Sequence, residues 1–534
     1  MARTEPIPQR FADATLNLAL DTIGRGKQAL VFCNTKKGAE SQAERIAQKV
    51  KEPRDPEKLA ALAERILAAV SSPTKQCRRL ATCVRGSIAF HHAGLHAQQR
   101  EIVETAFRAG EITIICATPT LAMGMDLPAF RSIVRDLKRY SQGTSWGMND
   151  IPVLEYEQMS GRAGRPGKET YGEAVCIAQT PEEETRIVEK YVRGDPEDIY
   201  SKLAVEPVLR TYVLSLIASG YVQDENSLRR FFDETFYAWQ YGDTGKLHAI
   251  LARMTHMLAE WGFLDAPAQE TDGFVVASDA IDASLRATRL GERVAQLYLD
   301  PLTAHELLVA LEHGASRGVA PSPFALLHLI TTTIELRPLF SVRQSEIDAL
   351  DRTLVQTEEG LYVRSPSIYS AEYEEYLQTV KTATVLRDWI EETGEDRLLE
   401  EHNVAPGDLH AKRDRADWIL HALVELCKLQ GMHGLIVHLE RLRVRLEHGA
   451  KEELLPLLRL RGVGRVRGRA LHRNGIRTLE DVRESDLSRL RSLVGSALAR
   501  DLKEQVGITV APEDLQIKPK KRKGQIALHD YDGK

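Results

Sequence analysis

The residues best suited to chemistry stand at 158–167, Gln-Met-Ser-Gly-Arg-Ala-Gly-Arg-Pro-Gly, where Arg162 and Arg165 lie three residues apart in a glycine-rich turn. A guanidinium is a planar fork of N–H donors that keeps its charge. That geometry matches phosphate oxygens and the negative charge that builds on a phosphoryl group in transfer. Arg165, with Arg162 beside it and Gln158 opening the turn, is therefore the candidate arginine finger. Taken alone, such a segment also reads as a basic surface turn, so its company decides.

Three further segments precede it in order: VFCNTKKGAE at 31–40, FHHAGL at 90–95 and ITIICATPTLAMGMDLP at 112–128, the last a buried apolar strand running into Thr118, Thr120, Gly124 and Asp126. Downstream, the run from Lys412 to Gln430 has helical spacing, with Ile419, Leu423 and Cys427 as the core stripe. Trp418 stands beside that stripe, with Arg415 and His421 about one turn away on either side, so it reads either as a half-buried core tryptophan or as a base-stacking group facing a channel. In LLRLRGVGRVRGRALHRNGIRTLEDV, Gly462 and Gly464 sit between two short helical stretches, the pattern of a helix-hairpin-helix. There main-chain N–H groups approach phosphate, while Arg465, Arg467, Arg469 and Arg473 add sequence-independent attraction that weakens with salt. A solvated basic helix is the bland alternative.

The four ordered segments resemble motifs IV, V and VI of superfamily 2 helicases and the stretch after motif IV. The whole chain resembles the part of the archaeal HelQ-like repair helicases, in the Ski-two-like group, that runs from the second RecA-like domain to the C-terminus. The resemblance extends to EPVLRTYVLSLIASGYV, ATRLGERVAQLYLDPLTA, KTATVLRDWIEETGED and NVAPGDLHAKRDRADWILHAL. It implies a 3′ to 5′ DNA helicase working on single-stranded and forked DNA in repair, with Gln158, Arg162 and Arg165 catalytic and Gly124, Asp126 and Gly161 facing nucleotide. It also implies DNA contacts for Asn34, Thr35, His92, Thr118 and Thr120, and for Arg415 and Trp418 on a ratchet helix. Relatives insert a strand-separating hairpin where LKRYSQGTSWGMNDIP stands; Trp146 there is either a stacking tip or a packing residue.

A helicase motor binds ATP between two RecA-like domains, the first of which supplies the P-loop lysine and an acidic Mg²⁺ motif. The nearest approach here, GRGKQ at 24–28, lacks the first glycine at the required spacing and has Gln28 where Ser or Thr should follow Lys27. No Asp-Glu-x-His or Asp-Glu-x-Asp box is present. The expectation is that ATP and Mg²⁺ are used only with a first motor domain on a separate polypeptide, or that the chain is truncated. Alternatives are a non-catalytic DNA-binding remnant and an RNA-directed relative, the latter disfavoured by the helix-hairpin-helix.

Short β-rich runs alternating with helical segments from Gln28 to Ala178 predict a parallel α/β sheet, interrupted by a helical insertion at about 53–85. Mainly helical domains follow, so the expected order is a second RecA-like domain over 1–199, a winged helix over 200–299 and a helical ratchet bundle over 300–453. A helix-hairpin-helix over 454–510 and a disordered basic tail over 511–534 complete it. In the winged helix, WGFLD and GFVVAS form the hairpin. In the tail, KPKKRK reads as solvated charge, phosphate contacts or an import signal, and Gln525, Leu528 and Tyr531 have the spacing of a sliding-clamp ligand, so a clamp or single-strand-binding protein is a candidate partner.

The six scattered cysteines lie mostly in apolar runs, which points to neither a disulfide framework nor a metal site. No apolar run approaches the roughly 20 residues that span a bilayer, and the N-terminus has no secretory h-region, so a cytoplasmic protein without membrane contact is expected.

Overall fold

The computed structural model describes residues 6–70, 73–123, 126–141, 147–165, 167, 169–265 and 284–508. It divides into two compact units, one formed by residues 1–305 with 394–415, the other by 306–393 with 416–534.

The first unit is built on five parallel strands in the order β2-β3-β1-β4-β7: β1 (Ala29–Phe32), β2 (Ile88–His91), β3 (Ile114–Ala117), β4 (Arg131–Val134) and β7 (Glu173–Cys176). The three inner strands read ALVF, IICA and RSIV and are buried throughout, as strands covered on both faces by helices must be. Register is in phase, with Ala29 opposite both Ile114 and Arg131. The insertion is two helices, Pro56–Ala68 and Lys75–Arg85, that add Leu62, Ile66 and Leu80 to the same core.

Arg131 is 1% exposed in that core. Its guanidinium donates to Glu173 at 2.7 Å, to the Leu18 carbonyl at 2.9 Å and to the Thr22 hydroxyl at 2.7 Å, with Asp21 at 3.0 Å. The buried charge is thus paired and engaged at each of its nitrogens, and it ties the Ala14–Gly24 helix to β4 and β7.

Between β4 and the next helix a two-stranded antiparallel ribbon, β5 (Lys138–Ser141) and β6 (Gly147–Asp150), stands apart from the sheet. The region expected to be a winged helix contains helices Glu206–Ala218, Glu225–Asp233, Thr244–Glu260 and Arg289–Gln296, with antiparallel bridges Leu264 to Ala287 and Asp224 to Ser284. The GFVVAS run falls outside the described residues.

The second unit is helical. Helices Pro323–Thr331, Tyr373–Ile390 and His433–His448 pack around Leu327, Ile330, Val380, Ala383 and Leu439. A small separate core of Leu457, Leu460, Val463, Leu471, Leu490 and Leu502 holds the short helices from 455 to 505. No helix among the described residues is long and apolar enough to cross a membrane. The basic tail with Gln525, Leu528 and Tyr531 lies outside the described residues.

Candidate motor and nucleic-acid interface

The two ends of the parallel sheet carry two different sets of residues. Strand β1 begins after Gln28 and ends before Cys33 and Asn34, and its four residues separate those ends by about 13 Å.

At the amino-terminal end sits Arg165, while Arg162 reaches across to Ala122, next to Met123 of the cleft at the other end. The turn after the Val153–Ser160 helix is pinned to the start of β4 by Gly164 N–H to Ala129 O at 2.7 Å and Ala129 N–H to Arg162 O at 2.9 Å. Arg162 donates from Nε to the Ala122 carbonyl at 3.1 Å and again from Nη2 to the same oxygen. Arg165 donates from Nε to the Pro128 carbonyl at 3.1 Å and from Nη2 to Gln28 Oε1, and it lies 5.8 Å from the Phe107 ring centroid. Gln28 is buried, its amide donating to Phe107 O at 2.8 Å and Ile112 O at 2.5 Å. Lys27 lies 3.6 Å from Glu169, so two consecutive residues before β1 hold the turn from both sides.

Burial lowers the Arg165 pKa and Glu169 opposes that shift. Among the described residues each arginine is bound through Nε and Nη2, which leaves Nη1 to meet a phosphate oxygen. Gln158 is half-buried, and its Oε1 meets no donor among the described residues. Gly161 caps the preceding helix, Asp126 is exposed with its carbonyl accepting from Arg108 at 3.4 Å, and Gly124 lies outside the described residues. No group of three or more His, Cys, Asp or Glu among the described residues is placed to hold a metal ion.

At the carboxyl-terminal end a cleft of about 290 Å³ is lined by Asn34, Lys36, Thr118, Thr120, Arg139 and Glu155. The structure thus brings together three of the expected DNA-contacting residues from motifs IV and V. Thr118 and Thr120 share a hydroxyl hydrogen bond of 2.9 Å, and Asn34 N–H donates to Asp136 at 3.1 Å.

Two expected contacts are placed elsewhere. The Thr35 hydroxyl accepts from Gly38 N–H at 2.9 Å as the cap of the Lys36–Ala47 helix. His92, expected on DNA, is 1% exposed and is corrected to an internal support. Its Nδ1 accepts from Gly94 N–H at 3.1 Å, so the neutral ring carries its proton on Nε2, 3.1 Å from Glu40 Oε1. Lys36 and Arg139 were not singled out from the sequence. Their only signal was a basic residue beside a motif, which is weak.

The ribbon is rooted by Tyr191, whose hydroxyl donates to Ile151 O at 2.9 Å, and by Lys190 on Asp150 at 2.9 Å. Arg139 on β5 pairs with buried Glu155 at 2.8 Å. Trp146 lies outside the described residues.

The ratchet-like helix runs Pro406–Leu429. Ile419, Leu423 and Cys427 are fully buried, but so are Ala416, Leu420, Val424 and Leu426, so the apolar surface nearly encircles the helix. What remains partly exposed between 416 and 427 is a narrow strip of Asp417, Trp418, His421 and Glu425. Arg443, from His433–His448, lies along that strip, donating to Asp417 at 2.9 Å and to His421 at 3.4 Å. Arg415 is exposed, and burial pushes the Lys412 ammonium one turn earlier down to about 8, helped by Arg415.

The GVG hairpin opens a cleft of about 410 Å³ lined by Arg459, Arg461, Gly462 and Gly464, and Gly464 is the residue that begins the Arg465–Arg473 helix. Its arginines divide in two. Arg465, expected on phosphate, instead lies 4.6 Å from the Trp389 ring and donates to Thr393 O at 3.2 Å, and Arg469 is paired with Glu392 at 2.6 Å and Glu453 at 2.8 Å. Arg459, Arg461 and Arg467 are exposed at the hairpin, with Arg467 also donating to Gly462 O at 2.9 Å.

Residues 12–167 match the family described as "Helicase conserved C-terminal domain", residues 324–449 "Archaeal helicase, domain 4", and residues 454–508 "SAM-like Helix-hairpin-helix tandem". Fold and site therefore define a helicase with DNA-binding helical domains. Along 98% of its length the chain is 36% identical to the ATP-dependent DNA helicase Hel308 of Methanocella arvoryzae, covering 68% of that protein. It is 35% identical to Hel308 of Pyrococcus horikoshii and 34% to that of Pyrococcus abyssi, covering 95% of this chain and 67% of each relative. The chain belongs to the Hel308 family of ATP-dependent DNA helicases.

Proposed function

We propose that this chain supplies the second motor domain and the DNA-gripping domains of a 3′ to 5′ DNA helicase acting on single-stranded and forked DNA in repair. A P-loop domain facing Arg162 and Arg165, carried on a separate polypeptide, completes its nucleotide site. ATP bound with Mg²⁺ supplies the phosphoryl group. The arginines meet the charge that builds on it, and Gln158, Gly161, Gly124 and Asp126 serve as further nucleotide contacts. Asn34, Thr118 and Thr120 follow the DNA backbone at the carboxyl-terminal end of the sheet, Thr35 adding a backbone contact, while Trp146, Arg415 and Trp418 meet bases and Gly462, Gly464 and Arg467 lie along phosphates. The observation that supports the reading is that Arg165 is held by Gln28 at the amino-terminal end of β1, while Asn34, Thr118 and Thr120 line a cleft at the carboxyl-terminal end, one strand length away.

The test is ATP hydrolysis with single-stranded DNA, measured for this chain alone and with a separately produced first RecA-like domain of a relative. Hydrolysis restored only by the mixture, and abolished by Arg165→Ala, supports the reading. Robust hydrolysis by the chain alone overturns the requirement for a second polypeptide, and no hydrolysis in either case favours a DNA-binding remnant.

A further inference from the structure

Within the first unit, the segment 394–415 leading into the ratchet-like helix is fastened to the motor sheet at three places. Gly407, in the first turn of the helix, donates its N–H to the Gly94 carbonyl at 3.0 Å. The two backbones are in such contact that a Cβ on Gly407 would stand 2.2 Å from Ala93 O and 2.6 Å from Leu95 O, both main-chain atoms that cannot swing aside. Beside it Asp408 holds Lys36, with Nζ to Oδ1 at 2.5 Å and to Oδ2 at 2.6 Å, and Lys36 lines the cleft with Asn34 and Thr118. Farther back, Asp396 accepts from the Lys75 N–H at 2.7 Å, at the start of the Lys75–Arg85 helix.

The turn that receives Gly407 is itself braced from below. Buried His92 fixes Gly94 N–H from one ring nitrogen and reaches Glu40 with the other, and Glu40 also accepts from Gln76 at 2.6 Å. Val404 and Leu409 are buried on either side of the contact. A turn whose His92, Gly94 and Leu95 are buried, held by a buried network and met backbone to backbone by Gly407, is a rigid joint.

We infer that the 92–95 turn is the seat through which the motor domain carries the ratchet-like helix, and that Asp408 sets the reach of Lys36 into the DNA cleft. The inference rests on the proposed translocation. Movement of this RecA-like domain during nucleotide turnover takes the first turn of the helix with it, because the Gly407 contact is backbone against backbone. Lys36 is shared between the seat and the cleft: while Asp408 holds it, it is drawn away from a phosphate. The Lys36–Asp408 pair is 41% and 30% exposed, so it stabilises the fold little, and its effect falls on the cation's position.

The test uses the full chain together with the first RecA-like domain, and the variants Gly407→Ala and Asp408→Asn. Alanine is a better helix former than glycine, so any loss in Gly407→Ala comes from the wedge it drives at Ala93 and Leu95, not from the helix. Gly407→Ala should keep single-strand affinity and DNA-stimulated hydrolysis within about twofold while strand separation falls by at least about tenfold. Asp408→Asn should bind single-stranded DNA more tightly, with a salt dependence steeper by about 0.7 for the one cation released, and also unwind less per ATP. Unwinding at the parental rate in Gly407→Ala, or hydrolysis falling in step with it, overturns the seat. Unchanged or weaker DNA binding in Asp408→Asn overturns the role given to Lys36. If the parent mixture hydrolyses no ATP, the proposed function has failed and this inference falls with it; an active parent with unaffected variants defeats only the inference.

Discussion

Arg165 donates from Nη2 to Oε1 of Gln28, a residue 137 positions earlier that stands immediately before the first strand of the sheet. The amide of Gln28 is engaged by two carbonyls, Phe107 O and Ile112 O, so its oxygen cannot rotate away from the arginine without breaking both bonds. Gln28 is therefore a positioning residue for the finger. In Gln28→Leu the acceptor is lost at similar volume, two carbonyls each lose one donor, and the guanidinium is held only through Nε on Pro128 O. DNA-stimulated hydrolysis in the reconstituted motor should fall tenfold or more, about 1.4 kcal/mol, with single-strand affinity unchanged. Measured beside Arg165→Ala, the double variant should be no worse than Arg165→Ala alone; additive losses would detach Gln28 from the arginine.

The arginines of the helix-hairpin-helix should sort by function. Arg461 and Arg467 are exposed at the hairpin, whereas Arg469 is mostly buried between Glu392 and Glu453, which raise its pKa. Arg461→Ala and Arg467→Ala should each reduce the slope of log affinity against log salt for duplex DNA by about 0.9. Arg469→Ala should leave that slope alone and lower stability by about 2 kcal/mol, since it strands Glu392 in a half-closed site. Affinity titrations across salt together with urea unfolding separate the two classes.

That division shows where the sequence stopped being informative. The RecA-like sheet was legible because ALVF, IAF and IICA are short, wholly apolar runs between helical segments, and the finger was legible because its two arginines and their glycines stand together in one short turn. The ribbon at 138–150 was expected from the resemblance, since relatives insert a hairpin at that place. Gln28 was not: a single glutamine before a strand has no periodicity, and its meaning comes from a partner 137 residues away. Arg465 and Arg469 look the same as Arg461 in a string of basic residues, and only Trp389, Glu392 and Glu453 brought in by the fold distinguish them. His92 misled because a histidine next to a motif reads as a contact, while its burial depends on Glu40 and Gln76 from two other helices.

Gly462 has φ +82, and a Cβ there would stand 2.7 Å from Leu498 Cδ1. The hairpin of the first repeat is thus packed against the Ser496–Gln505 helix that follows Gly495 in the second. Gly462→Ala should cost the module about 2 kcal/mol, from left-handed backbone strain plus the clash, and weaken duplex binding with it. Adding Leu498→Ala removes the clash but not the strain, so it should restore part of the thermal stability. No recovery in the double variant would mean that backbone conformation alone accounts for the glycine.

His328 is fully buried in the second unit, against the Tyr376 ring at 5.2 Å. The Thr379 hydroxyl donates to Tyr376 O at 2.7 Å, so it can only accept from His328 Nε2, 3.2 Å away. The proton of the neutral ring is therefore on Nε2, and Nδ1 meets no partner among the described residues. A second proton would go on Nδ1, placing a charge in an apolar site without an acceptor, and burial accordingly pushes the pKa down to about 4. The sign follows. Above the ordinary value near 6.5 the ring is neutral folded and unfolded, and it costs nothing. As pH falls from about 6.5 to about 4 the unfolded chain takes up a proton that the fold refuses, so stability is lost across that window, by up to roughly 3 kcal/mol, and levels off below it. His328→Gln keeps a donor for Thr379 and cannot titrate. Urea unfolding at about pH 7 and about pH 5 should show a loss on acidification roughly 2 kcal/mol smaller in the variant than in the parent. Equal losses would place the acid sensitivity elsewhere in the chain.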